Sequence, residues 1–179
     1  SQAALKRDRE GWEHAADEFE KRHVDVIREL LPKPAALLDE VAAAARELKA
    51  MCESIAVLRE LTPRAQDALV ARGERLNARL FVAYLGEQSI DATYIDAVDI
   101  ISTERRLGSL WPNLAACERA AKRLISPLLA KDLVVIMPGF IGSGPDGELV
   151  TLGRGGTDFS AAILARSIGA KSVTLWKEV

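Results

Sequence analysis

The sequence is poor in the residue types that most often form disulfides and metal sites. It contains two cysteines and two histidines in 179 residues. Cys52 and Cys117 lie in apolar, helix-like contexts, and neither has a neighbour at metal-ligand spacing. We therefore expect two buried thiols, with no disulfide and no metal site.

The sequence also lacks an excess of positive charge and a long hydrophobic run. Its 24 basic and 26 acidic side chains give a net charge of −2, whereas a nucleic-acid-binding face normally shifts this balance to positive values. No apolar run approaches the ~20 residues of a membrane-spanning helix, and the N-terminal SQAALKRDRE lacks the apolar segment of a signal peptide. We expect one cytoplasmic domain with a sizeable core that binds neither nucleic acid nor a membrane.

The first half of the chain has the periodicity of three helices. Apolar residues recur at three- and four-residue spacing from Glu10 to Leu31 and again from Ala35 to about Leu61. A third helix is predicted to begin at Thr62-Pro63, where the threonine caps the helix and the proline occupies its first position.

Gly73 and Glu74 stand out in the third predicted helix. A glycine inside a helix costs ~1 kcal/mol relative to alanine, so Gly73 is either a tolerated defect or a place where another group approaches the backbone. Glu74 lies among Arg72, Arg75 and Arg79. This spacing favours a solvated helix face with weak ion pairs, and it leaves a functional role for Glu74 open.

The second half of the chain is predicted to alternate between strands and helices. A helix followed directly by a continuous apolar strand is half of a βαβ unit. The fold class is therefore α/β, an open sheet with helices on both faces behind a helix-rich first half. The predicted elements are a strand at 90–95, a turn or short helix at 97–101, a polar loop at 103–109, a helix at 114–129, a buried parallel strand at 133–137, a hairpin turn at 143–147 with its return strand at 149–152, a helix ending near Ile168, and a strand at 172–176 with Trp176 in the core.

The stretch from Met137 to Asp158 is the candidate functional loop. It runs from the end of a predicted strand through two glycine-rich turns to the start of a helix. The backbone N–H groups of residues 155–157 are expected to be free there, with the positive end of the helix dipole behind them. Arg154 adds a guanidinium that fits a carboxylate or a phosphate. We therefore expect an anion site, with Thr157 or Asp158 as the helix cap.

Several segments carry a resemblance to a known family. The segment GFIGSGPDGELVTLGRGGTDFSAAILA, followed closely by SVTLWKEV, resembles the aspartate kinases of the amino acid kinase superfamily. The upstream segments LRELTPRAQDALVARGERLNARLFVAYL and IDATYIDAVDII are similar to parts of the same enzymes, in the same order. The GRGGTD segment is specific, because the glutamate, carbamate and uridylate kinases of the superfamily differ there. The resemblance implies a three-layer αβα sandwich of the amino acid kinase type over residues 1–179.

The resemblance implies an activity and its partners. Aspartate kinases transfer the γ-phosphoryl group of ATP, bound with Mg²⁺, to the side-chain carboxylate of L-aspartate, which gives 4-phospho-L-aspartate for the synthesis of lysine, threonine, methionine and isoleucine. The nucleophile is already an anion and needs no general base, so His14 and His23 are expected to be surface or helix-face residues. A homodimer is implied for the parent enzyme.

Matching positions imply roles for individual residues. Arg154 would hold a carboxylate of aspartate, and Glu74 would contact its α-ammonium. Phe140 would line the substrate pocket, and Gly139 would allow close approach. Thr157 keeps the hydroxyl of the serine that is common in the family, for hydrogen bonding to the substrate or for capping.

The resemblance assigns three further positions to the nucleotide and its transferred phosphate. Asp158 would orient a cationic group near that phosphate, with a purely structural cap as the alternative. Lys177 and Glu178 would lie at the nucleotide edge, with Lys177 near the ATP phosphates. Many family members have Thr-Asp at these two positions, so they depart from the family pattern.

The chain also departs from the family at its ends. Family members open with a strand and a Lys-Phe-Gly-Gly loop and continue into regulatory ACT domains, and neither occurs in residues 1–179. We therefore expect a central piece of an aspartate kinase domain, with little or no kinase activity of its own. Two alternatives stay open: another amino acid kinase of the glutamate type, and a non-catalytic interaction module.

Overall fold

Three long helices and a short one form the first half of the chain, as its amphipathic spacing predicted. In the computed structural model, which describes residues 1–176, they are α1 (Gln2–Leu5), α2 (Arg9–Leu30), α3 (Ala35–Leu58) and α4 (Pro63–Glu87). The predicted cap of α4 is confirmed, because the Thr62 hydroxyl accepts a hydrogen bond from the N–H of Ala65 at 3.1 Å. Within residues 1–176, none of the helices combines the length and the apolar character needed to cross a bilayer.

The helices of this first unit, Ser1–Gln88, bury two apolar clusters. Helix α3 packs against both α2 and α4, and α1 contacts α2 and α3. Cys52 is one of the buried residues, and burial raises the pKa of its thiol. One cluster consists of Ala4, Trp12, Cys52, Ile55 and Ala56, and the other of Ile27, Leu31, Val41, Leu76 and Leu80.

The second unit, Ser89–Val179, is a mixture of short strands and helices. It confirms a mixed α/β chain with a helix-rich first half. Its elements are β1 (Ala92–Tyr94), a 3-10 helix (Ala97–Asp99), β2 (Thr103–Arg106), β3 (Ser109–Pro112), α5 (Leu114–Leu124), α6 (Ser126–Leu129), β4 (Val134–Ile136), β5 (Ile141–Ser143), β6 (Leu149–Thr151) and α7 (Gly156–Ile168).

Within residues 89–176 the strands form three separate pairs. Strands β1 and β4 pair in parallel, with Ala92 opposite Val134, whereas β2 pairs with β3 and β5 with β6 as antiparallel hairpins. The parallel direction of β4 was predicted correctly. Its predicted burial on both faces is wrong, since Val134 is exposed, and Val135 and Ile136 are half-buried. Among the described residues β4 pairs with β1 along one edge.

The core of the second unit lies between α5, α7 and the segment that precedes β2. Cys117 is completely buried in it, and its sulfur accepts a hydrogen bond from the N–H of Ser102 at 3.3 Å. Burial raises the pKa of this thiol, and the prediction of two buried thiols is confirmed. The buried members of the core are Ile100, Ile101, Cys117, Ala120, Ala121, Ile125 and Ile163.

The predicted helix at 114–129 is divided into α5 and α6. Asn113 caps α5 by accepting a hydrogen bond from the N–H of Ala116 at 3.0 Å. The regular helix ends at Leu124, because Pro127 has no N–H to donate to the carbonyl four residues earlier.

The segment 103–109 forms the hairpin β2–β3, and its prediction as a polar loop was wrong. The turn consists of Leu107 and Gly108, which have φ angles of 48° and 81°. Two left-handed residues in a two-residue turn suit the twist of a hairpin. Leucine rarely adopts this conformation, so Leu107 is not a residue from which such a turn is predicted.

The predicted strand at 172–176 is absent from the described residues. Its apolar, β-branched sequence suits a strand, but a strand needs a hydrogen-bonded neighbour, and none of the strands in residues 1–176 pairs with it. The prediction that Trp176 belongs to the core is also wrong, since this residue is 92% exposed.

The turn of the β2–β3 hairpin generates a stability prediction. We expect Leu107→Asn to raise the free energy of unfolding by about 1 kcal/mol, because asparagine adopts the left-handed conformation more readily and the fully exposed leucine has no packing to lose. Urea titration followed by circular dichroism measures the change. Leu129→Asn is the control, since Leu129 is an exposed leucine without a positive φ. Equal stability of Leu107→Asn and the parent would contradict strain at this turn.

Candidate functional site

The loop that follows β4 packs directly against the start of α7. A Cβ added to Gly139 would lie 2.8 Å from Cγ2 of Thr157 and 3.2 Å from the hydroxyl of Ser160. A Cβ added to Gly156 would lie 2.8 Å from Cδ2 of Phe140. Neither position has room for a side chain, so contact between loop and helix already explains both glycines. The predicted role of Gly139 in ligand approach stays a prediction.

Phe140 is held in an unusual backbone conformation at this contact. Its φ angle is 71°, in the left-handed region that costs a non-glycine residue about 1–2 kcal/mol. Its N–H donates to the hydroxyl of Ser160 at 3.2 Å, and its carbonyl accepts from the N–H of Leu152 at 2.8 Å. The half-buried Phe140 is therefore fixed from both sides.

Ser160 is a site residue that the sequence reasoning missed. Its side chain is 1% exposed, and its hydroxyl donates to the carbonyl of Thr157 at 2.7 Å while it accepts from Phe140. The available signal was weak, a hydroxyl within the apolar helical sequence FSAAIL. Its partner Phe140 is twenty residues away in sequence, so no local pattern could have identified the contact.

Arg154 is presented to solvent by its two glycine neighbours. Gly153 and Gly155 have φ angles of 75° and 73°, in the left-handed region that glycine adopts without steric cost. The side chain is exposed, and within residues 1–176 it makes neither a hydrogen bond nor an ion pair. Its guanidinium is therefore available to an anionic ligand.

The start of α7 differs from the prediction in its cap. The N-cap is Gly155 in a left-handed conformation, without a side-chain cap, so the prediction that Thr157 or Asp158 caps the helix is wrong. Because the left-handed glycine makes the turn, both residues lie inside the first helical turn. The half-buried Asp158 is the acidic residue of that turn, where its charge suits the helix dipole.

The backbone N–H groups at this helix start are partly free. The N–H of Gly156 donates to the carbonyl of Gly153 at 2.9 Å, so its predicted availability is wrong. The N–H groups of Gly155 and Thr157 have no hydrogen-bond partner in the described part of the chain. Thr157 itself is exposed. Two of the three predicted donors therefore remain available.

Lys177 and Glu178, the two residues predicted at the nucleotide edge, lie outside the described residues. Of the other predicted site residues, Gly139, Phe140 and Thr157 meet at the start of α7. Arg154 precedes Thr157 in the same segment, and Asp158 follows it directly. Glu74 belongs to the first unit, on α4.

Glu74 lines a cavity of about 320 Å³ between α2 and α4. Gly73 and Asn77 lie on the same face of α4, and a Cβ added to Gly73 would meet nothing within 4 Å. The glycine therefore opens into free space. The lining residues are Arg22, His23, Val26, Val70, Gly73, Glu74, Asn77 and Leu80.

Glu74 does not take part in the ion pairs that its spacing suggested. Arg72 pairs with Glu47 at 3.0 Å and Arg79 with Glu40 at 3.2 Å, both across to α3. Glu74 is half-buried and has no hydrogen-bond or ion-pair partner within residues 1–176. Burial raises the pKa of its carboxyl group. A partly desolvated carboxylate at a cavity wall, without a partner in the described residues, is suited to a cationic ligand.

The pKa shift of Glu74 has a definite sign for stability. Because the folded pKa lies above the ordinary glutamate value of 4.5, burial favours the protonated form. Its contribution to stability is present below pH 4.5 and is lost as the pH rises through the raised pKa. A bound cation opposes this loss, because it stabilises the carboxylate.

The two histidines are helix-face residues, as predicted. His14 is exposed on α2. His23 is half-buried, and its Nδ1–H donates to the carbonyl of Phe19 at 2.7 Å. The His23 ring also packs on the Phe19 ring, with 4.4 Å between the ring centroids. These contacts explain His23 without a catalytic role, although it also contributes to the wall of the Glu74 cavity.

Comparisons with known proteins agree on one family. Residues 5–179 match the Amino acid kinase family. The aspartokinase of Schizosaccharomyces pombe is 37% identical over 167 residues, which are 90% of this chain and 31% of that protein.

Two solved structures of Escherichia coli aspartokinase III are also similar to this chain. The complex with lysine and aspartate (T-state) has a TM-score of 0.83 at 31% identity and covers 92% of this chain and 36% of its own. The complex with aspartate and ADP (R-state) has a TM-score of 0.78 at 31% identity and covers 87% of this chain and 34% of its own. The chain spans about a third of the length of each of these proteins.

The free space at Gly73 generates a second stability prediction. We expect Gly73→Ala to raise the free energy of unfolding by about 1 kcal/mol, because alanine favours the helix and the added methyl group meets nothing. Gly86→Ala is a matched control, since Gly86 also lies in α4 with nothing within 4 Å of an added Cβ. Thermal and urea unfolding of both variants measure the gains. A destabilised Gly73→Ala beside a stabilised Gly86→Ala would show that the space is not free.

Proposed function

Because this chain belongs to the amino acid kinase family, we propose that the protein carrying it is an aspartate kinase. The side-chain carboxylate of L-aspartate attacks the γ-phosphorus of ATP, a new P–O bond forms, and the bond to the β-phosphate oxygen breaks. The products are 4-phospho-L-aspartate and ADP. The aspartokinases among the relatives support this choice of substrate, since the Escherichia coli enzyme forms complexes with aspartate and with ADP.

The observation that carries this proposal is the presentation of Arg154 at the start of α7. The guanidinium is exposed and without a partner in residues 1–176, and two left-handed glycines fix the backbone on either side. The free N–H groups of Gly155 and Thr157 add donors at the positive end of the helix. This arrangement suits a carboxylate, which Arg154 binds and orients for phosphoryl transfer.

The reaction asks the protein mainly for positioning and for charge stabilisation. The attacking group is already a carboxylate, so no general base is needed. Arg154 holds a carboxylate of the substrate, Phe140 forms part of the pocket wall, and the hydroxyl of Thr157 is exposed for hydrogen bonding to the substrate. Asp158 orients a cationic group near the transferred phosphate.

Glu74 binds the α-ammonium group of the amino acid in this proposal. Its support is the cavity that Glu74 lines, the absence of an ion-pair partner in residues 1–176, and the burial that raises the pKa of its carboxyl group. An ammonium ion restores to the carboxylate the interaction that it lost with water. The free face of Gly73 leaves room beside Glu74 for the ligand.

The nucleotide is assigned to residues outside the described part of the chain, Lys177 and Glu178. Within residues 1–176 no three histidine, cysteine, aspartate or glutamate side chains are grouped as metal ligands. In this proposal Mg²⁺ enters with ATP as a phosphate complex. The three-layer αβα sandwich and the homodimer implied by the resemblance stay predictions, as does the cytoplasmic location expected from the composition.

The proposed activity is tested with the complete protein that carries this sequence. Release of ADP is measured in a coupled assay with L-aspartate or L-glutamate as the acceptor, and hydroxylamine traps the acyl phosphate. We expect ADP release that depends on L-aspartate. Turnover with L-glutamate alone would favour the glutamate-type kinase. Absence of turnover with either acceptor would contradict a catalytic function and favour an interaction module.

The role of Arg154 predicts a large loss of activity on its removal. We expect Arg154→Ala to lower kcat/KM for L-aspartate by about 100-fold or more, the usual cost of removing one electrostatic anchor. Arg166→Ala is the control, because it removes the same charge from an exposed position in the last turn of α7. Steady-state kinetics and circular dichroism of both variants are compared. Near-normal turnover by a folded Arg154→Ala variant would refute the anchor role.

The role of Glu74 predicts a change in KM. We expect Glu74→Gln to raise KM for L-aspartate by roughly tenfold with kcat nearly unchanged, because the ammonium contact exists in both the ground and transition states. In the parent protein, KM is expected to rise as the pH falls towards the raised pKa of Glu74, and this dependence is expected to vanish in the variant. Glu47→Gln serves as the control, because it removes a carboxylate that pairs with Arg72 at the surface. It leaves the cavity lining unchanged, including the other charged or titratable groups there, Arg22 and His23. Unchanged KM and pH dependence in Glu74→Gln would restore the interpretation of a solvated face.

A further inference from the structure

Ser160 connects the loop after β4 to the start of α7 through a single hydroxyl group. We propose that Ser160 is a positioning residue, which holds Phe140 in its left-handed conformation and thereby fixes the pocket wall against the first turn of α7. The link to the amino acid substrate rests on the proposed function. The link to the conformation of Phe140 rests on geometry alone.

The hydroxyl of Ser160 is fully used. It donates to the carbonyl of Thr157 at 2.7 Å and accepts from the N–H of Phe140 at 3.2 Å. The side chain is 1% exposed, so water does not replace either partner. One buried oxygen therefore joins two segments that both carry proposed substrate contacts.

Phe140 needs such a partner because its backbone is strained. With φ at 71°, it would relax to a right-handed or extended conformation if its contacts were removed. The bond from the N–H of Leu152 to the Phe140 carbonyl fixes one side of the residue, and Ser160 fixes the other. The ring then lies against Gly156, where an added Cβ would be 2.8 Å from Cδ2. A change in φ at Phe140 moves this ring.

Ser167 shows what an ordinary buried serine does in the same helix. It is 7% exposed, and its hydroxyl donates to the carbonyl of Ile163 at 2.7 Å, four residues earlier in α7. This bond stays inside the helix. Ser160 makes a comparable bond to its own helix and, in addition, accepts an N–H from the loop. The two serines therefore differ in the contact with Phe140, and a comparison of their alanine variants measures the effect of that contact.

The first part of the test measures the conformation of Phe140 without any use of activity. Amide hydrogen exchange of this chain is followed by NMR for the parent, Ser160→Ala, Ser160→Thr and Ser167→Ala. We expect exchange at the Phe140 amide to become about tenfold faster or more in Ser160→Ala, because the N–H loses its acceptor. Ser160→Thr retains a hydroxyl and is expected to restore protection, and Ser167→Ala is expected to leave the Phe140 amide unchanged. Equal protection in Ser160→Ala and the parent would overturn the proposal.

The second part of the test measures the link to the substrate in the complete protein. Because a pocket wall acts on ground-state binding, we expect Ser160→Ala to raise KM for L-aspartate by about five- to tenfold, with KM for ATP unchanged. Ser167→Ala is expected to leave both KM values unchanged. An active parent whose KM for L-aspartate is the same in Ser160→Ala would overturn the positioning role.

The two parts distinguish failure of the proposal from failure of the proposed function. A parent protein without aspartate-dependent turnover would refute the aspartate kinase function and, with it, the link of Ser160 to that substrate. The exchange rate of the Phe140 amide would still show whether Ser160 holds the loop. If the exchange rate of the Phe140 amide changed equally in Ser160→Ala and Ser167→Ala, the effect would not be specific to Ser160. That result would overturn the proposal.

Discussion

The candidate site of the second unit depends on the close contact between the loop after β4 and the first turn of α7. Gly139 and Gly156 have no side chains at the points where the two segments meet, and Phe140 takes up a left-handed conformation between them. The hydroxyl of Ser160 joins the segments by accepting from one and donating to the other. Because these contacts fix the helix start, they also fix the short glycine turn that presents Arg154.

The two units contribute different kinds of charge site. In the second unit Arg154 is exposed and lies beside backbone donors at a helix start, an arrangement that suits an anion. In the first unit Glu74 is half-buried at a cavity wall and lacks a partner among the described residues, which suits a cation. Each unit therefore has its own candidate charge site, one suited to an anion and the other to a cation.

The sequence predicted those features that depend on neighbours in sequence. Helices α2, α3 and α4 followed from apolar periodicity, and the β5–β6 hairpin followed from its Pro-Asp-Gly turn. Arg154 and Glu74 were selected from short local segments, and the resemblance gave them roles. The β2–β3 hairpin was missed because Leu107 is an unusual residue for a left-handed turn. The strand predicted at 172–176 failed for another reason, since a strand depends on a partner that local sequence does not supply.

Long-range contacts explain the remaining differences. Ser160 contacts a backbone group twenty residues away, and Gly155 replaced the expected side-chain cap because the chain turns there in a left-handed conformation. In the proposed function, this turn presents Arg154 to a carboxylate of the amino acid. The most direct measurement is the NMR shift of the Arg154 Nε–H during titration of the complete protein with L-aspartate. We expect a saturable shift at Arg154 and none at Arg166, whereas aspartate-dependent turnover with an unchanged Arg154 signal would refute the role of Arg154.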